Sequence, residues 1–145
     1  MEIELLTQSY VKTLSRAELL SLGKLIYEAA PEYYQCFGID AELLYENLTL
    51  QVGAGNTELS QVYAAKVEGS IAGFVSCVET SLLIQSQMNG SMALYRLVGK
   101  SDRPSIKSKL SSYSSMIEEI TIFEGIYLPR LTVSAAFRGQ GIARQ

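Results

Sequence analysis

The stretch "LTVSAAFRGQGIARQ", residues 131–145, orders the rest of the chain around itself. It reads as a short strand, a loop, two closely spaced glycines and the first turn of a helix. That order leaves unpaired backbone N–H groups and a partial positive charge just past the end of the strand. Gly139 and Gly141 let an anion approach the backbone without meeting a Cβ, Arg138 adds a charged fork beside the first glycine, and Arg144 falls about one turn later. The stretch is therefore expected to be a strand-to-helix anion site suited to phosphate.

Upstream, "IYLPRLTV" (126–133) reads as a strand interrupted by Pro129, which cannot donate a ladder hydrogen bond and belongs at an edge or a bulge. "VYAAKVEGSIAGFVSCVE" (62–79) gives two strand-like runs joined at Glu68-Gly69, where glycine supplies the positive φ of a tight hairpin turn. Residues 71–78 are apolar or small on both alternating faces, which predicts a strand covered by helices above and below. Nearer the start, "SRAELLSLGKLIYEAAP" pairs Ser15 with Glu18 at capping-box spacing, repeats Leu19, Leu22, Ile26 and Ala29 near one helical face, and closes at Pro31. The prediction is a helix over 16–30. The aromatic "PEYYQCFGIDAELLYENL" then suggests a short helix that begins again near Asp40.

Residues 81–120 separate the hairpin from the next strand by more than an ordinary connection, so something folded is expected there. "SMALYRLVG" suggests a short helix capped by Ser91 and stopped at Gly99. After the turn-like "KSDRP", Ile106, Leu110, Tyr113 and Ile117 recur at helical spacing through a serine cluster that composition alone would assign to a linker.

Composition sets limits on the chemistry. A chain of 145 residues, 48% hydrophobic and 19% charged, fits one domain (1–145) with a packed core. A net charge of -3 gives no electrostatic reason to expect nucleic acid or an anionic membrane as partner. There is no histidine, which removes Ser-His-Asp and Cys-His catalysis and histidine metal sites, so proton transfer falls to carboxylates, tyrosine, lysine, cysteine or water. Cys36 and Cys77 form no Cys-x-x-Cys pair and are simplest as small core residues; no metal is expected, and a reducing cytoplasm fits. The start, "MEIELLTQSYVK", has neither the basic segment nor the apolar run of a signal peptide, and no stretch reaches the ~20 apolar residues of a membrane helix.

Arg138, Gly139, Gln140, Gly141, Ile142 and Ala143 satisfy the pattern Arg/Gln, two residues, Gly, one residue, Gly/Ala, and in this the chain resembles the GNAT superfamily of acyl-CoA-dependent N-acyltransferases. The early helix, "PEYYQCFG" and the "VYAAKVEGSIAGFV" hairpin look like the first half of that family, and a helical insert at about 81–120 is like one branch of it. Ala135 stands where the family often has proline. A dinucleotide-binding reading lacks the early Gly-rich turn and later acidic residue, and a Walker reading lacks Gly-Lys-Ser/Thr.

The resemblance implies an α/β (α+β) fold, a mixed and mostly antiparallel sheet flanked by helices, of which the C-terminal half is missing here. The 145-residue chain is accordingly expected to be weak or inactive as an enzyme. It implies acetyl-CoA as cosubstrate, held by Leu131, Thr132, Val133, Arg138, Gly139, Gln140, Gly141, Ile142, Ala143 and Arg144, with the Val133 backbone N–H polarising the acyl carbonyl. The acetyl group is expected to pass directly to a primary amine, a small molecule or a peptide. Glu124, or else Glu118 or Glu119, is the candidate base, each with a solvated surface charge as the alternative. Tyr33, Tyr34 and Phe37 are candidates for the acceptor pocket, with core packing as the alternative, and Tyr127 is open between the site and the core. Two other functions stay open: a non-catalytic acyl-CoA-binding module, and an interaction domain whose exposed strand pairs with another chain, including a homodimer.

Overall fold

The computed structural model describes residues 1–120 and 123–145, with side chains for all but residues 112 and 114–118. The side chains of Ile117 and Glu118 therefore lie outside the described residues. In chain order the elements are β1 (Glu2–Leu6), α1 (Gln8–Thr13), α2 (Arg16–Ala29), α3 (Pro31–Gln35), α4 (Ala41–Gln51), β2 (Val62–Val67), β3 (Ser70–Ser76), β4 (Val78–Glu79), α5 (Leu83–Tyr95), α6 (Arg103–Ile120), β5 (Ile126–Tyr127) and β6 (Leu131–Val133). The fold is mixed α/β, an antiparallel sheet flanked by helices.

Local chemistry accounts for most boundaries. The Ser15 hydroxyl accepts from the Glu18 N–H at 3.2 Å while the Glu18 carboxylate accepts from the Ser15 N–H at 2.7 Å, a reciprocal cap that starts α2. That contact also holds the exposed Glu18 carboxyl below its ordinary value. Pro31 sits in the first turn of α3, where its missing N–H costs nothing. Glu68 and Gly69 both take positive φ, 50° and 79°, and close the β2–β3 hairpin at the expected place.

The main sheet has the order β1-β2-β3-β6, antiparallel throughout, with Leu5 paired to Tyr63, Tyr63 to Val75 and Val75 to Leu131. Paired residues share a face. Leu6, Val62, Ala64 and Phe74 therefore form one buried face, packed in a single core with Leu22 and Ile26 of α2, Leu44 and Leu48 of α4, Leu94 of α5 and Ile106 of α6. The other face carries Ile3, Leu5 and Leu131, which are 55%, 44% and 51% exposed. Helices above and below β3 were expected; the described helices that pack on the sheet join one core on one face. The apolar second face of β3 serves strand packing instead: a Cβ on Gly73 would lie 2.7 Å from the Thr132 carbonyl oxygen, so its absence lets β6 close against β3.

Two boundaries differ from expectation in the connecting segment. The helix expected from Ser91 begins at Leu83, directly after a single 3-10 turn (Thr80–Leu82) and without a side-chain cap, so Ser91 is a mid-helix residue. The strand expected over 126–133 divides at Pro129: β5 pairs with β4 in a separate two-stranded sheet, and β6 joins the main sheet. Ile106, Leu110 and Tyr113 of α6 pack on the core as their spacing suggested.

The tightest helix crossing depends on Gly23 of α2, where a Cβ would fall 2.0 Å from the Tyr45 carbonyl oxygen in α4. Gly23→Ala should destabilise the chain by about 1–3 kcal/mol, whereas Gly90→Ala in α5, whose added Cβ meets only ordinary contacts with the Gln51 and Thr57 side chains at 3.7 and 3.8 Å, should gain roughly 0.5–1 kcal/mol. Urea unfolding should show the two midpoints moving in opposite directions at constant slope.

Candidate functional site

β6 lies at the edge of the main sheet, bonded to β3 on one side. Arg130 C=O accepts from the Ser76 N–H at 2.9 Å and the Ser134 N–H donates to Ala72 C=O at 2.8 Å, so residues 130, 132 and 134 aim their backbone groups at β3. By strand alternation Leu131 and Val133 aim theirs outward, where no described strand pairs with them. The outward Val133 carbonyl accepts from Arg138 Nε at 3.0 Å.

Beyond β6 the chain makes a 3-10 turn (Ala135–Phe137), then Gly139 at φ 79° and Gly141 at φ 77°, then a second 3-10 turn (Ile142–Arg144). Nothing lies within 4 Å of a Cβ built on either glycine. The N–H groups of Gly139, Gln140 and Gly141 make no hydrogen bond among the described residues. Arg138, Gln140, Ala143 and Arg144 are exposed, and Ile142 is half-buried beside Leu131 and Val133 on the open sheet face. A helix start was expected at this point; the described residues form one 3-10 turn, so the anion-binding groups present are turn N–H groups and two arginines. The Arg138–Glu28 pair, 4.0 Å and largely exposed, restrains Arg138 little.

Immediately before β6 lies the most polar part of the interior. Arg130 and Glu58 are 8% and 7% exposed and meet at 2.9 Å through guanidinium Nη2 and carboxylate Oε2. Arg130 Nε donates to the Tyr34 hydroxyl at 3.0 Å, Nη1 donates to the Pro129 carbonyl at 2.8 Å, and its backbone N–H donates to Ser76 Oγ at 3.1 Å. The guanidinium carbon stands 5.0 Å from the Tyr33 ring centre and 5.2 Å from that of Tyr34. Glu58 is placed by a tight loop in which Ser60 Oγ accepts from the Thr57 N–H at 2.7 Å and the Gly53 N–H donates to Leu59 C=O at 3.0 Å.

Burial pushes the Glu58 carboxyl above the ordinary carboxylate value, against the pull of Arg130. For Arg130 burial is again the largest single influence and opposes the cation, but Tyr34, Glu58 and Tyr33 together outweigh it and its pKa is raised. Burial also raises the Tyr33 and Tyr34 phenols, which stay neutral. Sequence reasoning missed Glu58 and Arg130. The available signals were a lone glutamate beside Leu59 in a turn-rich loop and an arginine between Pro129 and a strand.

The remaining candidates are dispersed. Tyr33, Tyr34 and Phe37 are all buried in the main core, and Tyr33 also opens onto a cleft of about 570 Å3 between α5 and α6. Glu124 is exposed ahead of β5 and has no ion-pair or hydrogen-bond partner among the described residues; Glu119 is exposed near the end of α6. Tyr127 packs with Val78 and Leu83 in a small second cluster. Cys36 and Cys77 are free and half-buried; Cys36 Sγ donates to Glu32 C=O, and burial raises the Cys77 thiol.

Comparison with protein-family models, with curated proteins and with solved structures finds no match to this chain. Among the described residues no cluster of three or more histidine, cysteine, aspartate or glutamate side chains is arranged to hold a metal ion, and no helix is long and apolar enough to cross a membrane.

Arg130→Met strands a buried carboxylate and should cost about 3–5 kcal/mol at neutral pH, while Arg130→Met/Glu58→Leu should restore most of that loss. With its counter-charge gone, Glu58 rises further. Its stabilising contribution is then complete below the ordinary carboxylate pKa of about 4.3 and falls away as pH climbs through the raised value. Urea unfolding should find the gap between single and double variants wider at pH 7 than at pH 4.5.

Proposed function

We propose that the chain is a GNAT-type N-acyltransferase domain that takes acetyl-CoA along β6 and its following turn and passes the acetyl group directly to a primary amine. The observation that carries the proposal is the pair of left-handed, uncovered glycines after an edge strand, with Arg138 directly before the first. Such a turn fits a pyrophosphate: Gly139, Gln140 and Gly141 offer free N–H groups, Arg138 and Arg144 offer charge, and no Cβ blocks the approach. An extended amide-bearing arm fits the outward groups of Leu131 and Val133, which present one N–H and one C=O per residue as a neighbouring strand would.

In this reading coenzyme A supplies a thioester as the activated acyl donor. Arg138 turns from the Val133 carbonyl to the phosphates and frees that carbonyl for the ligand. Val133 N–H donates to the acyl oxygen as the amine nitrogen attacks the carbonyl carbon, which strengthens the bond as negative charge develops there. Formation of the C–N bond releases the thiolate. The surplus amine proton passes to water or to a carboxylate, and Glu124 is the residue proposed for it. Thr132, whose backbone faces β3, holds β6 in place rather than touching the ligand.

A second reading, an interaction domain that extends its sheet across a partner, is favoured by the unpaired edge of β6 together with exposed Ile3, Leu5 and Leu131. Sedimentation equilibrium separates the two: a self-associating chain reduced to monomer by Leu131→Lys belongs to the second reading.

Calorimetric titration with acetyl-CoA tests the first. Binding is expected to weaken about tenfold or more in both Arg138→Ala and Gly141→Val, from loss of charge-assisted bonds in one and a blocked, strained turn in the other. Absence of binding, or binding indifferent to both substitutions, would remove the coenzyme reading.

A further inference from the structure

The cleft between α5 and α6 has no part in the chemistry above. It measures about 570 Å3, within the range of small-molecule sites, and Met88, Met92, Tyr95 and Leu110 supply apolar walls. Its floor is the Tyr33 hydroxyl hydrogen-bonded to Ser91 Oγ at 2.8 Å. The pair uses one hydroxyl hydrogen and leaves the other available to a guest.

Two independent features suggest an occupant. Ile84, Met88 and Met92 recur at helical spacing along α5 and are 44%, 56% and 51% exposed, a stripe of apolar surface left in water beside a concavity. Methionines also adapt to guests of varied shape. Charge is the second feature: Lys107 is the one charged residue lining the cleft among the described residues, it has no ion-pair partner among them, and no carboxylate shares the lining. Arg103, one turn earlier on α6, keeps the same sign nearby.

We propose that this cleft binds an apolar monocarboxylate, with the Lys107 ammonium pairing the carboxylate and Met88, Met92, Tyr95 and Leu110 enclosing the hydrocarbon body. A cationic amine is rejected at the same place, because Lys107 opposes it and no carboxylate among the described residues lines the cleft to offset the repulsion. A small guest suits the site better than a partner helix, since two helices bound a concave space with a polar floor, whereas a docked helix needs only the outer stripe of α5. The site stands apart from the coenzyme reading and does not depend on it.

The test uses the full chain with octanoate, octanol and octylamine as matched anionic, neutral and cationic probes, followed by calorimetry and by amide shifts in 1H–15N spectra. Octanoate is expected to bind one per chain, at least about tenfold tighter than octylamine, with shifts centred on Ser91, Met92 and Lys107. Lys107→Glu should reverse that preference. Met92→Asp should weaken octanoate while leaving the thermal midpoint nearly unchanged, since the Met92 side chain is half exposed. Equal binding of all three probes, or octanoate binding indifferent to Lys107→Glu, would overturn the proposal. So would failure of every probe to saturate, and if Met88→Lys then converted an oligomer to monomer, the stripe would be a protein contact instead.

Discussion

The buried ion pair between Arg130 and Glu58 sets the position of nearly everything around β6. Two charges taken from water cost several kcal/mol each unless their bonds are replaced, and here each of the three guanidinium nitrogens meets an acceptor. The guanidinium meets Glu58, Tyr34 and the Pro129 carbonyl, and the backbone of the same residue is tied to Ser76. Those partners come from the loop before β2, from α3, from the turn before β6 and from the end of β3. Arg130 thus ties its own turn to three segments remote in sequence, two through its side chain and one through its backbone. It does so one residue ahead of β6, so the outward aim of Leu131 and Val133 is set from inside the core.

Close approach of backbone supplies the second constraint. Gly73 lets β6 settle against β3, and Gly23 lets α4 settle against α2; at both places a methyl group would meet a carbonyl oxygen well inside contact distance. The helices consequently crowd one side of the sheet, and the surface on the other side keeps Ile3, Leu5 and Leu131 in water. The glycine turn lies at the rim of this open side, with Ile142 folded onto the strands beside it. An edge strand, an apolar face and a positively charged turn therefore adjoin one another.

The parts of the fold legible in the sequence were those governed by neighbours in the chain. Ser15 and Glu18 cap α2 reciprocally, Glu68-Gly69 turns the hairpin, and Pro129 breaks a strand, because each effect acts within about four residues. The start of α5 was misplaced because Leu82 gives no cap signal and the serine that looked like a cap, Ser91, bonds to Tyr33 in a distant helix. The covered faces of β3 were misjudged because apolar alternation reports avoidance of water, not whether a helix or a neighbouring strand does the covering. At the candidate site the turn glycines and Arg138 stood out in sequence. Glu58 and Arg130 did not, since pairing between remote segments leaves no spacing to read.

Tyr33 links the buried network ahead of β6 to the α5–α6 cleft. Its ring packs over the Arg130 guanidinium and its hydroxyl reaches Ser91 at the base of the α5–α6 cleft. Burial keeps the phenol neutral, so it offers its ring to one side and its hydroxyl to the other without adding charge to either. Removing the ring would unsettle the ion pair and the cleft floor together, and loss of either function in such a variant would not say which site was responsible. Lys107 lines only the cleft, and Gly141 belongs only to the turn. Neither touches Tyr33 or Arg130 among the described contacts, so the chemistry of one site can be altered while the buried network between them is left intact.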